Sequence, residues 1–202
     1  MKIELQNLGK KYGRHWVFRN LNYTIEHGGI VAITGKNGSG KSTLLKAIAG
    51  YTTPTEGAVS YNSKGQIDQT DFNIAAPYLN LIDEFTLIEQ LAFNAKFKRP
   101  LTPIEKMITE SNLEDAKDKY LSEFSSGMKQ RVRLILAFFF QSQAILLDEP
   151  TSNLDEAGLN WYLDLLSKHR NSRTTIIASN QPNEYPGVRN ILSIDTFKKI
   201  IK

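Results

Sequence analysis

The chain predicts an α/β fold, with a β-rich core in two parts and a helical insertion between them. Three stretches predict it. The apolar run Ile30-Val31-Ala32-Ile33-Thr34 meets the glycine-rich stretch Gly35-Lys36-Asn37-Gly38-Ser39-Gly40-Lys41-Ser42, and a helix-forming segment, Thr43 to Ala49, follows before Gly50. A second apolar run, Ala144-Ile145-Leu146-Leu147, ends in two carboxylates, Asp148 and Glu149. Continuous runs of this kind suit strands of a parallel sheet covered on both faces. Between them, apolar residues recur at helical spacing. The expected organisation is one domain over 1–202, with 1–76 and 141–202 in the core and about 77–140 in the helical part.

Residues 2–8 alternate apolar with polar side chains and predict a half-exposed strand. Lys11-Tyr12-Gly13 turns the chain into two short strands, Trp16-Val17-Phe18 and Leu21 to Ile25, before the buried strand at 30–34. Tyr12 is a candidate platform for an adenine base, because a π-face stacks without sequence-specific hydrogen bonds. The same residue also reads as an ordinary turn or core aromatic.

Gly35 to Ser42 fits G-x-x-x-x-G-K-[ST], the phosphate-cradling loop. Glycines let backbone N–H groups turn inward onto phosphate oxygens, and the helix N-terminus adds partial positive charge. Lys41 is placed to reach the β- and γ-phosphates and the Ser42 hydroxyl to ligate Mg²⁺. Together with Thr43 these residues predict binding of a nucleoside triphosphate.

Thr52 to Gly57 is a connector, Ala58 to Tyr61 and Asp71 to Ala75 read as strands, and polar Asn62 to Thr70 reads as an exposed loop. Thr86 to Phe97 has helical periodicity, and Thr102-Pro103-Ile104-Glu105 reads as a capping box with proline at the first helical position. Phe85, Phe93 and Phe97 are expected in the core of the insertion.

Phe124-Ser125-Ser126-Gly127-Met128-Lys129-Gln130-Arg131 opens a helix that continues through Val132, Ile135, Leu136 and Phe139, and its start is a second ready anion site. Asp148, at the strand tip, is a candidate Mg²⁺ ligand. Glu149 points elsewhere and is a candidate base toward water. Asp155 to Arg170 predicts a helix with acids at its start and bases at its end, as the macrodipole favours. Thr174 to Ser179 predicts a buried strand and Arg189 to Asp195 a last one.

Composition narrows the function class. The chain has 202 residues, 41% hydrophobic and 23% charged, a globular balance. It has no cysteine, which excludes disulfides and thiolate metal sites, and its three histidines (His15, His27, His169) make no plausible metal cluster. The net charge of +4 is spread along the chain, so no nucleic-acid partner is expected. The start, Met1-Lys2-Ile3-Glu4-Leu5, carries no signal-peptide core. The longest apolar run, Leu134 to Phe140, is far below the roughly 20 residues of a membrane span. Any spans are expected in other chains.

With these motifs in this order, the chain resembles the ATP-binding cassette (ABC) ATPases over essentially its whole length. The resemblance implies a P-loop NTPase with a RecA-like core, an N-terminal antiparallel β subdomain and an α-helical subdomain. Tyr12 stands where the adenine-stacking aromatic is expected, and Gly35 to Ser42 is the Walker A loop. Ser125-Ser126-Gly127-Met128 is similar to the signature loop, Ile145 to Glu149 to Walker B, and Ser152 to Asp155 to the D-loop. The implied mechanism pairs two cassettes head to tail, with ATP between Walker A of one and the signature loop of the other. Glu149 would polarise water, and Ser42 and Asp148 would hold Mg²⁺.

The implied function is Mg-dependent ATP hydrolysis that energises separate membrane-spanning transporter subunits, met through about Pro77 to Phe97. The best-fitting branch is bacterial exporter-type, with the chain peripheral on the cytoplasmic face of the cell membrane, as a homodimer or paired with another cassette. Alternatives are a soluble non-transport ABC ATPase or a nucleotide-gated module with slow hydrolysis. The sequence departs from the family in four places. Phe124 replaces leucine, Met128 replaces glutamine, and Ala76-Pro77-Tyr78 stands where the Q-loop glutamine is expected. Asn180 replaces the switch histidine, and because asparagine cannot become cationic, slower hydrolysis is expected.

Overall fold

An antiparallel sheet, a parallel sheet and the helices packed on them make up the fold, which the computed structural model describes for residues 1–62, 69–169 and 173–198. The antiparallel sheet pairs β1 (Ile3–Tyr12) with β2 (His15–Ile25) on one side and β4 (Glu56–Tyr61) on the other. β2 is one strand, where the sequence suggested two. Phe18 and Leu21 are both fully buried although they lie an odd number of residues apart. Asn20, left-handed at φ 57°, supplies the residue that lets one strand bury both. Asn7, at φ 48°, does the same between buried Leu5 and Leu8.

The parallel sheet has the order β5–β6–β7–β3–β8, with β3 at Ile30–Thr34, β5 at Phe72–Ala75, β6 at Ala144–Asp148, β7 at Thr174–Ala178 and β8 at Ile191–Ser193. Every residue of β6 and β7 is buried, as continuous apolar runs require when both faces are covered. Val31, Ile33, Leu146 and Ile176 face a core shared with α1 (Lys41–Ile48) and the antiparallel sheet. Ala32, Ile145, Leu147 and Ile177 face α4 (Ser126–Phe138) and α5 (Glu156–His169). Each fully buried Leu or Ile contributes ~1.5–3 kcal/mol of transfer free energy. β8 is shorter than expected, because Ile194 and Asp195 enter a 3-10 turn, Ile194–Phe197.

Two expectations about the helical part are corrected. α3 (Ile104–Glu110) has Pro103 at its N-cap with no side-chain cap bond, so the Thr102–Glu105 box does not form. The box forms instead at the start of α2 (Leu87–Ala95), where Thr86 Oγ1 accepts from Glu89 N at 3.3 Å and Thr86 N donates to Glu89 Oε2 at 2.8 Å. The phenylalanines are not the core of this part, which is built from Leu87, Leu91, Met107, Ile108 and Leu121. Phe93 lies two residues past Leu91, about 200° around the helix, and so faces outward. Phe85, Phe93 and Phe97 form an edge-to-face row with centroids 5.5 and 5.1 Å apart, and Phe97 is 66% exposed.

The C-terminal carbonyls of α4 are tied to the sheet. Asn73 Nδ2, on β5, donates to Ala137 O at 3.0 Å and Phe140 O at 2.6 Å. Arg173, just before β7, donates to Phe138 O at 2.7 Å and Phe140 O at 3.0 Å, and meets His169 Nδ1 at 3.1 Å. Burial lowers the Arg173 pKa to about 10. Most of the expected loop from Asn62 to Thr70 (residues 63–68) and Arg170, the last residue of the helix predicted from Asp155, lie outside the described residues. Among the described residues no helix is long and apolar enough to cross a membrane.

Candidate functional site

The loop between β3 and α1 takes a shape only glycine permits at two points. Gly35 has φ 149° and Gly40, the N-cap of α1, has φ 106°. A Cβ on Gly40 would stand 2.2 Å from Val17 Cγ1 of β2, and one on Gly35 2.6 Å from Ile194 Cγ2. The loop therefore rests directly on the antiparallel sheet and on the turn after β8. Lys41 Nζ lies across it, donating to Gly35 O at 2.8 Å and Lys36 O at 3.5 Å. Ser39 is buried, and its hydroxyl has no partner among the described residues. A cavity of about 460 Å³ opens above, lined by Tyr12, Val17, the loop from Asn37 to Thr43, and Glu149. Tyr12, half exposed beneath the Lys10 ammonium at 5.1 Å, offers a ring at its edge.

Neighbouring strands bring the other predicted groups to the same end of the sheet. Asp148, at the tip of β6, is buried and bonded by the Ser42 hydroxyl. Burial raises its pKa; the Ser42 bond opposes this, Glu149 adds to it, and Lys41 and Lys46 oppose it. A buried carboxylate and a hydroxyl, two hard oxygen donors beside a phosphate loop, fit Mg²⁺. Glu149 adopts φ 46°, with its N–H on Ala178 O at 2.9 Å and its Oε2 accepting from Ser152 Oγ at 3.4 Å. Asn180, after β7, joins the loop from the other side. Its Oδ1 accepts from Gly35 N at 3.0 Å and its Nδ2 donates to Asn37 Oδ1 at 3.1 Å.

The signature-like residues do not join this cavity. Ser125 caps α4, its hydroxyl accepting from Met128 N at 3.2 Å. Ser125, Ser126, Gly127 and Met128 line a separate cavity of about 340 Å³ with Arg131, Asn153 and Asp155. The two cavities share no lining residue. Gly127 packs on the D-loop so closely that a Cβ would stand 2.7 Å from Asn153 O. Asp155 Oδ1 caps α5 by accepting from Gly158 N at 2.7 Å.

Three further residues at or beside the site were not among the predicted site residues. Asp195 Oδ2 accepts from Lys36 N at 3.1 Å. Tyr78, in the place of the expected glutamine, lies 3.9 Å beneath the Lys46 ammonium, and burial first, then Asp148, raises its hydroxyl pKa. Glu184, between the predicted strands at 174–179 and 189–195, is fully buried against Thr151.

The family model for ABC transporters matches residues 18–152, more than half of the chain. The chain belongs to the ABC transporter ATP-binding family. It is 32% identical over 188 residues to an uncharacterized ABC transporter ATP-binding protein, YybJ of Bacillus subtilis (strain 168), covering 90% of this chain and 86% of the relative. The lipoprotein-releasing system ATP-binding protein LolD of Buchnera aphidicola is 31% identical over 201 residues, covering 89% and 88%. The Fe(3+) ions import ATP-binding protein FbpC 1 of Pectobacterium atrosepticum is 33% identical over 162 residues, with 76% of this chain matching 46% of the relative. Among solved structures, a dimeric post-hydrolysis state of the cassette MJ0796 bound to ADP and Pi superposes at a TM-score of 0.84 and 25% identity, covering 95% and 94%. The protein is thus an ABC transporter ATP-binding subunit and an ATPase, and ABC ATPases use ATP with a divalent metal, generally Mg²⁺.

Proposed function

We propose that this ABC ATPase hydrolyses ATP at sites shared between two cassettes and drives a bacterial exporter-type transporter whose spans lie in separate subunits. The observation behind it is the separation of the two half-sites. One cavity holds Tyr12 and the loop from Asn37 to Thr43, the other holds Ser125 to Met128, and no residue borders both. A head-to-tail partner would bring a second copy's signature loop over the nucleotide. The MJ0796 cassette, solved as a dimer, supports this pairing.

In this reading Tyr12 stacks on adenine, and the N–H groups and side chains from Gly35 to Thr43 hold the phosphates, with Lys41 leaving its carbonyl partners for the β- and γ-oxygens. Ser42 and Asp148 would hold Mg²⁺, which neutralises developing charge on the phosphates. Glu149 orients and deprotonates the attacking water. Asn180 sets the near wall of the γ-phosphate site, and Ser125 and Gly127 reach across from the partner. Asp155 fixes the start of α5 beside the signature-like loop of its own chain.

The core would be residues 1–76 and 141–202, and the helical subdomain about 77–140. The membrane subunit is assigned to about Pro77 to Phe97, a choice supported by the exposed row of Phe93 and Phe97. The chain then sits on the cytoplasmic face of the membrane. LolD, named for a lipoprotein-releasing system, is matched along 88% of its length and the iron-import protein FbpC 1 along 46%, and this fuller match is what supports the export direction.

Mg-ATP hydrolysis across a protein concentration series, with Glu149→Gln alongside, tests the shared site. Specific activity should rise with concentration and vanish in the variant. Activity per molecule that is constant with dilution, or retained by Glu149→Gln, would refute it. Vesicles carrying candidate membrane subunits, loaded on one side, then report direction.

A further inference from the structure

Glu184 is fully buried, and its Oε2 has no hydrogen-bond partner among the described residues. A carboxylate in that position is costly unless the contacts of its other oxygen require it. They are specific. Oε1 accepts from Thr151 N at 3.1 Å and from the Thr151 hydroxyl. Its own carbonyl accepts from the buried Tyr162 hydroxyl at 2.8 Å, which fixes the backbone of Glu184 against α5.

Thr151 and Glu184 belong to the two loops that matter most to the γ-phosphate. Thr151 closes the turn that begins at Glu149, in which Ser152 N donates to Glu149 O at 3.0 Å. Glu149 is left-handed at φ 46°, a conformation that a non-glycine residue holds only when its surroundings over-determine it. On the other side, Gln130 Nε2 of α4 donates to Pro150 O at 2.9 Å. Glu184 ends the 3-10 turn Pro182–Glu184 and lies four residues after Asn180, with Glu184 N donating to Gln181 O at 3.0 Å and Gln181 N to Ser179 Oγ at 2.9 Å. One carboxylate thus joins the turn that aims Glu149 to the loop that carries Asn180.

We propose that Glu184 is a positioning residue, a buried clamp that holds the Glu149 turn in register with the Asn180 loop. Glu184 does not line the nucleotide cavity, and its carboxylate meets the Glu149 turn at Thr151. The proposal rests on Glu149 acting on water, as set out above. Removing the clamp should impair turnover and leave ATP binding intact.

The test compares Glu184→Leu, Glu184→Gln and Thr151→Val with the wild-type chain and Glu149→Gln. Steady-state hydrolysis, binding of a fluorescent ATP analogue, and hydrogen exchange of the peptide spanning residues 149–154 are measured on each. Glu184→Leu should lower kcat at least ~10-fold, since a misplacement of ~1 Å can cost ~100-fold, with the analogue Kd within about twofold. Its Thr151 amide should exchange faster. Glu184→Gln keeps an acceptor at Oε1 and should restore most of the turnover and protection. Thr151→Val, which removes only the hydroxyl contact, should fall between and serves if Glu184→Leu does not fold.

Unchanged kcat in Glu184→Leu beside an inactive Glu149→Gln would overturn the clamp alone. Equal loss of binding and turnover, or failure of Glu184→Gln to rescue, would also overturn it. Full activity in Glu149→Gln would refute the role of Glu149, and the clamp with it.

Discussion

Replacing Gly40 by alanine puts a methyl group where the loop, the nucleotide cavity and the antiparallel sheet meet. Two separate penalties follow. The first is conformational, because φ 106° is a region that L-residues rarely adopt, costing ~1–3 kcal/mol. The second is steric. The new Cβ would stand 2.2 Å from Val17 Cγ1, so the loop must lift or β2 must give, at ~1–3 kcal/mol for overpacking. The sum is ~2–6 kcal/mol, a large fraction of the ~5–15 kcal/mol that stabilises a typical domain. Truncating Val17 to alanine removes the atom in collision and leaves the backbone strain. A double-mutant cycle therefore separates the terms: Gly40→Ala/Val17→Ala should be more stable than the two single effects predict by ~1–2 kcal/mol. Urea unfolding measures all four proteins, and binding of a fluorescent ATP analogue shows whether the cavity survives. Strict additivity would refute the steric account. Normal ATP affinity in Gly40→Ala would show that β2 gives way and the loop keeps its phosphate-binding shape, whereas weakened affinity would show that the loop lifts.

Three further outcomes are expected. Thr86→Ala should cost ~1 kcal/mol in urea unfolding through loss of the α2 capping box, while Thr102→Ala should be close to neutral; the reverse order would refute the capping assignment. His169, lowered from 6.5 to about 4 by burial and then by the Arg173 charge, stays neutral in the fold while the unfolded chain protonates. The stability present above pH 6.5 should therefore decline as the pH falls toward 4, by ~1–2 kcal/mol after discounting for partial exposure, and His169→Gln should flatten the thermal-unfolding profile in that window. Asn180→His should raise turnover of the assembled ATPase several-fold by restoring a group that can become cationic, and unchanged turnover would refute the account of slow hydrolysis.

The fold and the phosphate loop were legible because each is written in local terms. Ala144 to Leu147 could only be a strand buried on both faces, and the glycines of the loop announce backbone shapes that other residues refuse. The two capping boxes show where local patterns stop deciding. Thr86-x-x-Glu89 and Thr102-x-x-Glu105 are the same pattern, but Pro103 takes the N-cap at ψ 145° and leaves Thr102 one residue too early. Phe93 and Phe97 looked like core because apolar periodicity does not say which partner covers a face. Asp195 and Glu184 were invisible for a third reason. Their partners, Lys36 and Thr151, are distant in sequence, and an acid in a polar stretch becomes a buried acceptor only once the sheet brings the loops together.

The anchoring of α4 has a mechanical consequence. Its last carbonyls are gripped by Asn73 and Arg173, while its start carries the Ser125 N-cap, which the proposed pairing would place against a neighbouring molecule's nucleotide. With 13 residues the helix is a stiff arm ~20 Å long, and its tip lies far from the gripped end. A tilt of ~10° there sweeps Ser125 through ~3–4 Å, more than the full span of a hydrogen bond. A small rotation of α4 about that end would therefore be large enough to make or release a contact at the tip, and it would pull on the Gln130 bond to Pro150 on the way.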